Sequence, residues 1–347
     1  MWAANSGRTF APATPATPAT PAAPIAAIAA IAAIAPVTPA SSAAASGPVA
    51  GWLAQEIGLP GGGTLKARLH GSRLTGRPTP LVLHFHGGAF VGGSLDSGAA
   101  VAQLLAAAGS IVLSIDYPLA PAHPFPAAAE AGHAAALWLH RNRRRLGGGD
   151  SAVLLAGEEA GGNLAAAVAL MARDRQRPPL AGQILLSPML DPCLGTASLR
   201  QADLDSPGCP WARGWANYLS RVADAAHPYA APANCLRLAQ LAPTMVVTAA
   251  DDPMRDEALA FAARLREAGV AVEQALIRSE TGWPQAYWQA ATTATEPGPM
   301  QEPARVGSTD PTQSPAPRDW SRQLRERLQR FIAARRIAAS PKGDSRS

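Results

Sequence analysis

Between Gly51 and about Ala291 the chain alternates short apolar runs with longer stretches of helical periodicity. That alternation limits the fold more than any other feature. The strand candidates are Leu65–Leu69, Leu81–His84, Ile111–Ile115, Val153–Ala156, Ile184–Leu186, Met245–Ala249 and Val272–Ile277. The helical candidates are Gly98–Ala108, Ala127–Leu139, Leu164–Ala172, Trp211–Val222 and Asp256–Ala268. Strands separated by helices read as βαβ units on a mostly parallel sheet. Right-handed crossovers then gather the loops at the strand C-termini on one rim, where such sheets hold ligands.

The flanks are of a different kind. Residues 1–49 carry Ala-Thr-Pro triplets from Ala13 to Pro21 and Ile-Ala-Ala triplets from Ile25 to Ile34. Proline at every third position blocks helix and favours extended, solvated chain, so disorder is expected there. The Ile-Ala-Ala run is shorter than the ~18 apolar residues a spanning helix needs, and no membrane span is expected. A signal peptide is the alternative reading, since Arg8 precedes an apolar stretch; the prolines and the late position of that stretch argue against it. Residues 50–291 form the expected domain and 292–317, rich in Pro, Thr and Glu, the linker. Over 318–339 Trp320, Leu324, Leu328, Phe331, Ile332 and Ile337 recur at helical spacing, which predicts an amphipathic helix docked on the domain, followed by a tail at 340–347.

Composition excludes several partner classes. The net charge of +5 comes from the end of the chain, where Arg318 to Ser347 hold nine Lys or Arg against three Asp or Glu. A solvated basic tail differs from a basic surface on a folded domain, so nucleic acid is not expected as a partner. Three cysteines form no pairwise framework and fit a reducing, cytoplasmic compartment, export being the alternative. No C-x-x-C or histidine-rich spacing occurs, and neither a metal nor a cofactor is expected.

The chemistry concentrates where the run Val153–Ala156 meets the helix opening at Gly161. In a G-x-S-x-G elbow the central residue sits on a strained turn, and small flanking residues let the backbone reverse. Here the segment reads Gly157-Glu158-Glu159-Ala160-Gly161, with the small residues kept and Glu159 at the centre. Gly149-Asp150-Ser151-Ala152 offers a serine, but it precedes the strand instead of following it.

Four segments in order resemble the hormone-sensitive-lipase-like esterases of the α/β-hydrolase fold. They are His84-Phe85-His86-Gly87-Gly88-Ala89-Phe90, Asp116-Tyr117-Pro118-Leu119-Ala120-Pro121 through Ala128, Gly157 to Leu164, and Asp252-Pro253-Met254-Arg255-Asp256-Glu257. The resemblance, which runs from about Glu56 to Val272, implies an α/β-hydrolase with a mostly parallel sheet and a reduced cap. It implies an oxyanion hole made by the backbone amides of Gly87, Gly88 and Ala160; the bland alternative is a glycine turn that lets a loop pass. It makes His86 a loop-orienting residue and not the base, and Asp252 the triad acid, with a loop carboxylate at a helix entrance as the alternative.

Two family positions are substituted. Glu159 stands at the nucleophile, and Gly282 falls where the histidine belongs; the last histidine in the chain is His227. Ester hydrolysis through a serine triad is therefore not expected. Three readings of Glu159 and its surroundings stay open. The carboxylate fills or blocks a dead site; or it acts as base or nucleophile of another reaction; or the scaffold binds a partner or a small apolar or acyl-bearing ligand. Glu158 next door adds repulsion, or the two carboxyls share a proton. Trp211, Trp215, Tyr218 and Leu219 form a stripe on one helical face that either fills core or lines an apolar pocket.

Overall fold

The computed structural model describes residues 52–60, 62–205, 209–278, 281–283 and 318–335. The segments expected to be disordered, linking or tail-like (1–49, 292–317 and 340–347) lie outside them, as do 284–291 and 336–339. The strands are β1 Trp52–Gly58, β2 Thr64–His70, β3 Leu81–Phe85, β4 Ile111–Ile115, β5 Val153–Glu158, β6 Gly182–Leu186, β7 Thr244–Ala249 and β8 Val272–Ile277. The helices are α1 Ala99–Ala107, α2 Ala127–Leu146, α3 Ala160–Asp174, α4 Ala197–Asp205, α5 Pro210–Tyr218, α6 Arg255–Glu267 and α7 Arg318–Ala333.

One eight-stranded sheet has the order β1-β2-β4-β3-β5-β6-β7-β8. Strands β1 and β2 are antiparallel, β2 meets β4 antiparallel, and the rest run parallel. The apolar runs become β3 to β7, buried on both faces, as parallel strands covered by helices must be. Helices α2, α3 and α6 share one core with residues such as Leu83, Leu155 and Leu185. Helices α1 and α7 share the other with Val82, Leu154 and Val247.

Sheet order fixes where the site lies. The chain steps from β3 to β4 on one side and then returns to β5 on the other, so the loops leaving β3 and β5 diverge. A crevice opens between such loops at the strand C-termini. Phe85 pairs with Gly157 in register, which sets His86 and the glycines after it beside Glu158 and Glu159. A β-carbon on Gly161 would lie 2.1 Å from the Phe85 carbonyl oxygen. Only glycine lets α3 begin this close to the end of β3.

Candidate functional site

Glu159 occupies the turn between β5 and α3 with φ 54° and ψ −117°. A non-glycine residue there carries roughly 1–3 kcal/mol of backbone strain and persists only where its surroundings hold it. The hold is visible. The Glu159 amide donates to the Leu186 carbonyl (3.0 Å), while its own carbonyl accepts from Met189 N (3.0 Å) and Asn163 N (3.2 Å). None of these bonds needs a particular side chain, which is why the elbow survives with glutamate at its centre.

The Glu159 side chain folds back under the loop after β3. Its Oε2 accepts from the amides of Gly88 (2.5 Å) and Ala89 (3.2 Å). Its Oε1 accepts from the indole nitrogen of Trp211 on α5 (2.6 Å). Burial pushes the carboxyl above its ordinary value, and the charge of Glu158 adds to this; the Gly88, Trp211 and Ala89 donors pull the other way. Ala160, whose amide was expected to join the hole, is the first residue of α3, directly after the elbow.

Gly87 was expected to donate beside Gly88, but its amide turns to Glu158 Oε1 at 3.0 Å. The pair converging on the elbow is therefore Gly88 and Ala89, one residue further along. Glu158 adds repulsion to Glu159 but does not share a proton with it. Its second oxygen meets His84 Nε2 at 2.8 Å, so its bonds run to His84 and Gly87 and not to the neighbouring carboxyl.

His86 is buried against the loop after β3. Its Nδ1 lies 2.7 Å from the Gly87 carbonyl, and its ring stacks on Tyr117 with centroids 4.3 Å apart. The Tyr117 hydroxyl donates to the His86 carbonyl at 2.8 Å. Burial lowers the His86 pKa, which favours the neutral ring with Nδ1–H donating.

The cap helix divides its stripe between two tasks. Tyr218 stacks on Phe90 at 3.9 Å and Trp215 meets the same ring at 5.0 Å, so these two fill core. Trp211 faces the elbow carboxylate. A β-carbon on Gly214 would sit 2.3 Å from the Ala89 carbonyl oxygen, so α5 lies directly against the loop.

Asp252 is buried in the loop after β7. It accepts from the Thr248 hydroxyl and from the Met254 amide (2.9 Å) at the entrance to α6. Burial raises its pKa. Gly282 is exposed at φ 66°, and its amide donates to Asp251 at 2.7 Å. Asp251 also takes the Thr281 amide (2.7 Å) and hydroxyl (2.9 Å), so the first acid of the Asp-Asp pair pins this loop while the second faces inward. Ser151, buried ahead of β5, donates to the Gly148 carbonyl.

A family model described as alpha/beta hydrolase fold matches residues 82–281. This chain belongs to the hormone-sensitive-lipase-like α/β-hydrolase family. Esterase LipI of Mycobacterium tuberculosis is 35% identical over 228 residues, covering 63% of this chain and 71% of the relative. The arylesterase of Saccharolobus solfataricus is 35% identical over 194 residues, covering 55% of this chain and 63% of its own length. The solved structure of a bacterial heroin esterase superposes with a TM-score of 0.65 at 29% identity, covering 88% of this chain and 89% of that one. The chain thus spans roughly two thirds of these curated relatives.

Within this α/β-hydrolase, sequence reasoning missed Ala89 and the indole of Trp211 as donors to Glu159. It also missed the bonds of Glu158 and Asp251. Backbone donors carry no side-chain signature, and Trp211 meets Glu159 only because the cap folds over the elbow. Among the described residues no helix is long and apolar enough to cross a membrane. Nor, among them, could any group of three or more His, Cys, Asp or Glu hold a metal ion.

A further buried carboxylate gives the fold a pH signature. Glu257 on α6 accepts from the amides of Leu190 (3.3 Å) and Asp191 (2.9 Å). Burial, with Asp191 nearby, raises its pKa well above the ordinary 4.5. The folded state therefore binds this proton more tightly than the unfolded one. Its contribution to stability is full below about pH 4.5 and declines as pH rises toward the folded value. Glu257→Gln is expected to gain melting temperature relative to wild type between about pH 5 and about pH 8, read by thermal unfolding at each pH. A gap that stays constant with pH contradicts the assignment.

Proposed function

We propose that this member of the esterase family has lost ester cleavage because Glu159 fills the anion cradle with its own carboxylate. The observation that carries the reading is the convergence of Gly88 N and Ala89 N on Glu159 Oε2. In an acyl-transfer enzyme such amides await the oxygen that becomes negative in the transition state. Here a permanent negative oxygen already holds them. Losing one such donor typically costs about 10²–10³ in turnover, and a substrate carbonyl at this elbow loses both.

The remaining groups support the same reading. The elbow carries no hydroxyl, and Asp252 is engaged by Thr248 and the Met254 amide. The fold and the cradle are those of a carboxylic-ester hydrolase; the attacking group and the base are not.

A carboxylate nucleophile at Glu159 is the competing reading. Oε2 sits on the two cradle amides and Oε1 is held by the Trp211 indole, so neither oxygen is aimed at a substrate carbonyl as a nucleophile's must be. The test is turnover in ¹⁸O-enriched water with p-nitrophenyl acetate, followed by mass spectrometry of the peptide containing Glu159. No heavy oxygen is expected at Glu159. Its incorporation there means that the carboxylate expels p-nitrophenolate to form a mixed acetyl anhydride and that water opens this anhydride at the glutamyl carbonyl, which overturns the proposal.

A further inference from the structure

We infer that Ser114, His84 and Glu158 are positioning residues that aim the Gly88 and Ala89 amides by holding the Gly87 peptide back. The sheet itself assembles them. His84 lies opposite Ser114 across β3 and β4, and opposite Ala156 across β3 and β5. Glu158 stands two residues beyond Ala156, on the same face and one step nearer the rim. The three polar residues interrupt strands that are otherwise apolar, and each is fully buried.

They form one chain of hydrogen bonds. Ser114 Oγ lies 2.9 Å from His84 Nδ1, His84 Nε2 lies 2.8 Å from Glu158 Oε2, and the Gly87 amide donates to Glu158 Oε1 at 3.0 Å. With the proton on Nε2 the ring donates to the carboxylate and accepts from the serine, which satisfies every link. The Gly87 residue is then held at both ends, its amide by Glu158 and its carbonyl by His86 Nδ1. Gly88 follows at φ 124°, packed so tightly that an added β-carbon would meet the Gly92 carbonyl oxygen at 2.3 Å. With the Gly87 amide drawn inward to Glu158 and the next residue confined, the Gly88 and Ala89 amides turn together onto a single oxygen. The alternative is that the three residues only satisfy one another's buried polar atoms, with no bearing on the cradle.

The relay rests on the filled-cradle reading only in that Glu159 is what the Gly88 amide senses. The experiment is amide NMR of the full chain labelled with ¹⁵N-glycine, with thermal unfolding run on each variant. Glu159→Gln is the control and is expected to move Gly88 upfield while leaving Gly87 near its wild-type position. Glu158→Gln keeps one acceptor oxygen for Gly87 and can meet His84 only if that ring takes its other tautomer, and in either case the Gly87 amide loses its charged acceptor. This substitution is expected to move Gly87 and Gly88 together, although Glu159 is untouched. Ser114→Ala moves both in the same direction by less. His84→Gln, whose amide still donates to Glu158, keeps both close to wild type.

A Gly87 signal that moves in Glu158→Gln while Gly88 stays fixed overturns the relay, and so does a Gly88 signal indifferent to Ser114→Ala. If Glu158→Gln does not fold, Ser114→Ala alone decides by the same criterion. A Gly88 signal unchanged in Glu159→Gln sinks the filled cradle instead, and the joint response of Gly87 and Gly88 to Glu158 still decides the relay.

Discussion

Glu159→Ser, the substitution that restores a hydroxyl to the elbow, is expected to leave p-nitrophenyl acetate hydrolysis about 10⁶-fold below that of an intact triad. Serine alone is a weak nucleophile at neutral pH, and its proton must go to a positioned base. Asp252 is present, but its bonds run to Thr248 and the Met254 amide. The loop of Thr281 and Gly282 is tied down by Asp251. Gly282→His places a side chain at φ 66°, where a β-carbon costs roughly 1–2 kcal/mol. The same residue is exposed, whereas Asp252 is buried. Emptying the cradle still matters, since open backbone donors and binding alone can give about 10³–10⁴ over water. The expected profile of Glu159→Ser is therefore a small rate above buffer. Turnover near the ~10 s⁻¹ typical of enzymes means that a base unrecognised among the described residues serves the elbow.

Phe331→Ala is expected to destabilise the fold by about 3–5 kcal/mol, lowering the melting temperature on the order of 10 °C. Helix α7 buries Leu324, Leu328, Phe331 and Ile332 in the core that α1 and the sheet share. The Phe331 ring approaches Gly182 so closely that a β-carbon there would lie 3.2 Å from it, and the Arg335 guanidinium covers it at 3.6 Å. Removing the ring leaves a cavity against β6 that a rigid sheet cannot close. Thermal unfolding by circular dichroism measures the loss. An unchanged transition means that α7 is not docked and is free for a partner. The docked helix uses its apolar face on its own domain.

Much of this fold is legible in the sequence because burial writes itself as mostly apolar runs. Strands β3 to β7 are covered on both faces, and each stands out as a run of Val, Leu and Ile. Strand β1 is an edge with Leu53 71% exposed and Gln55 and Glu56 along its length, so no apolar run marks it. Helix α4 is short and polar, and it too escapes pattern reasoning. Trp211 starts a helical stripe that looked longer than α5 is; the helix ends at Tyr218, and a 3₁₀ turn follows at Val222–Ala226.

The site divides along the same physical line. Sequence alone puts Glu159 just after β5, Asp252 in the loop after β7 and Gly282 beyond β8, because each lies a fixed number of residues from a strand end. The identity of the cradle amides depends on which way each peptide faces, and that depends on Glu158. Glu158 in turn depends on His84 and Ser114, which become neighbours only through the strand order β4-β3-β5. Residues 84, 114 and 158 lie far apart along the chain, and no local pattern links them.

The most direct test of the central claim is hydrolysis of p-nitrophenyl acetate by the purified protein, followed at 400–410 nm (about the p-nitrophenolate maximum) beside Glu159→Ala. A cradle filled by its own carboxylate predicts that the wild-type protein releases p-nitrophenol no faster than buffer, and that Glu159→Ala does no worse. Hydrolysis well above buffer that disappears in Glu159→Ala contradicts it, because the glutamate is then the working group and not the obstruction.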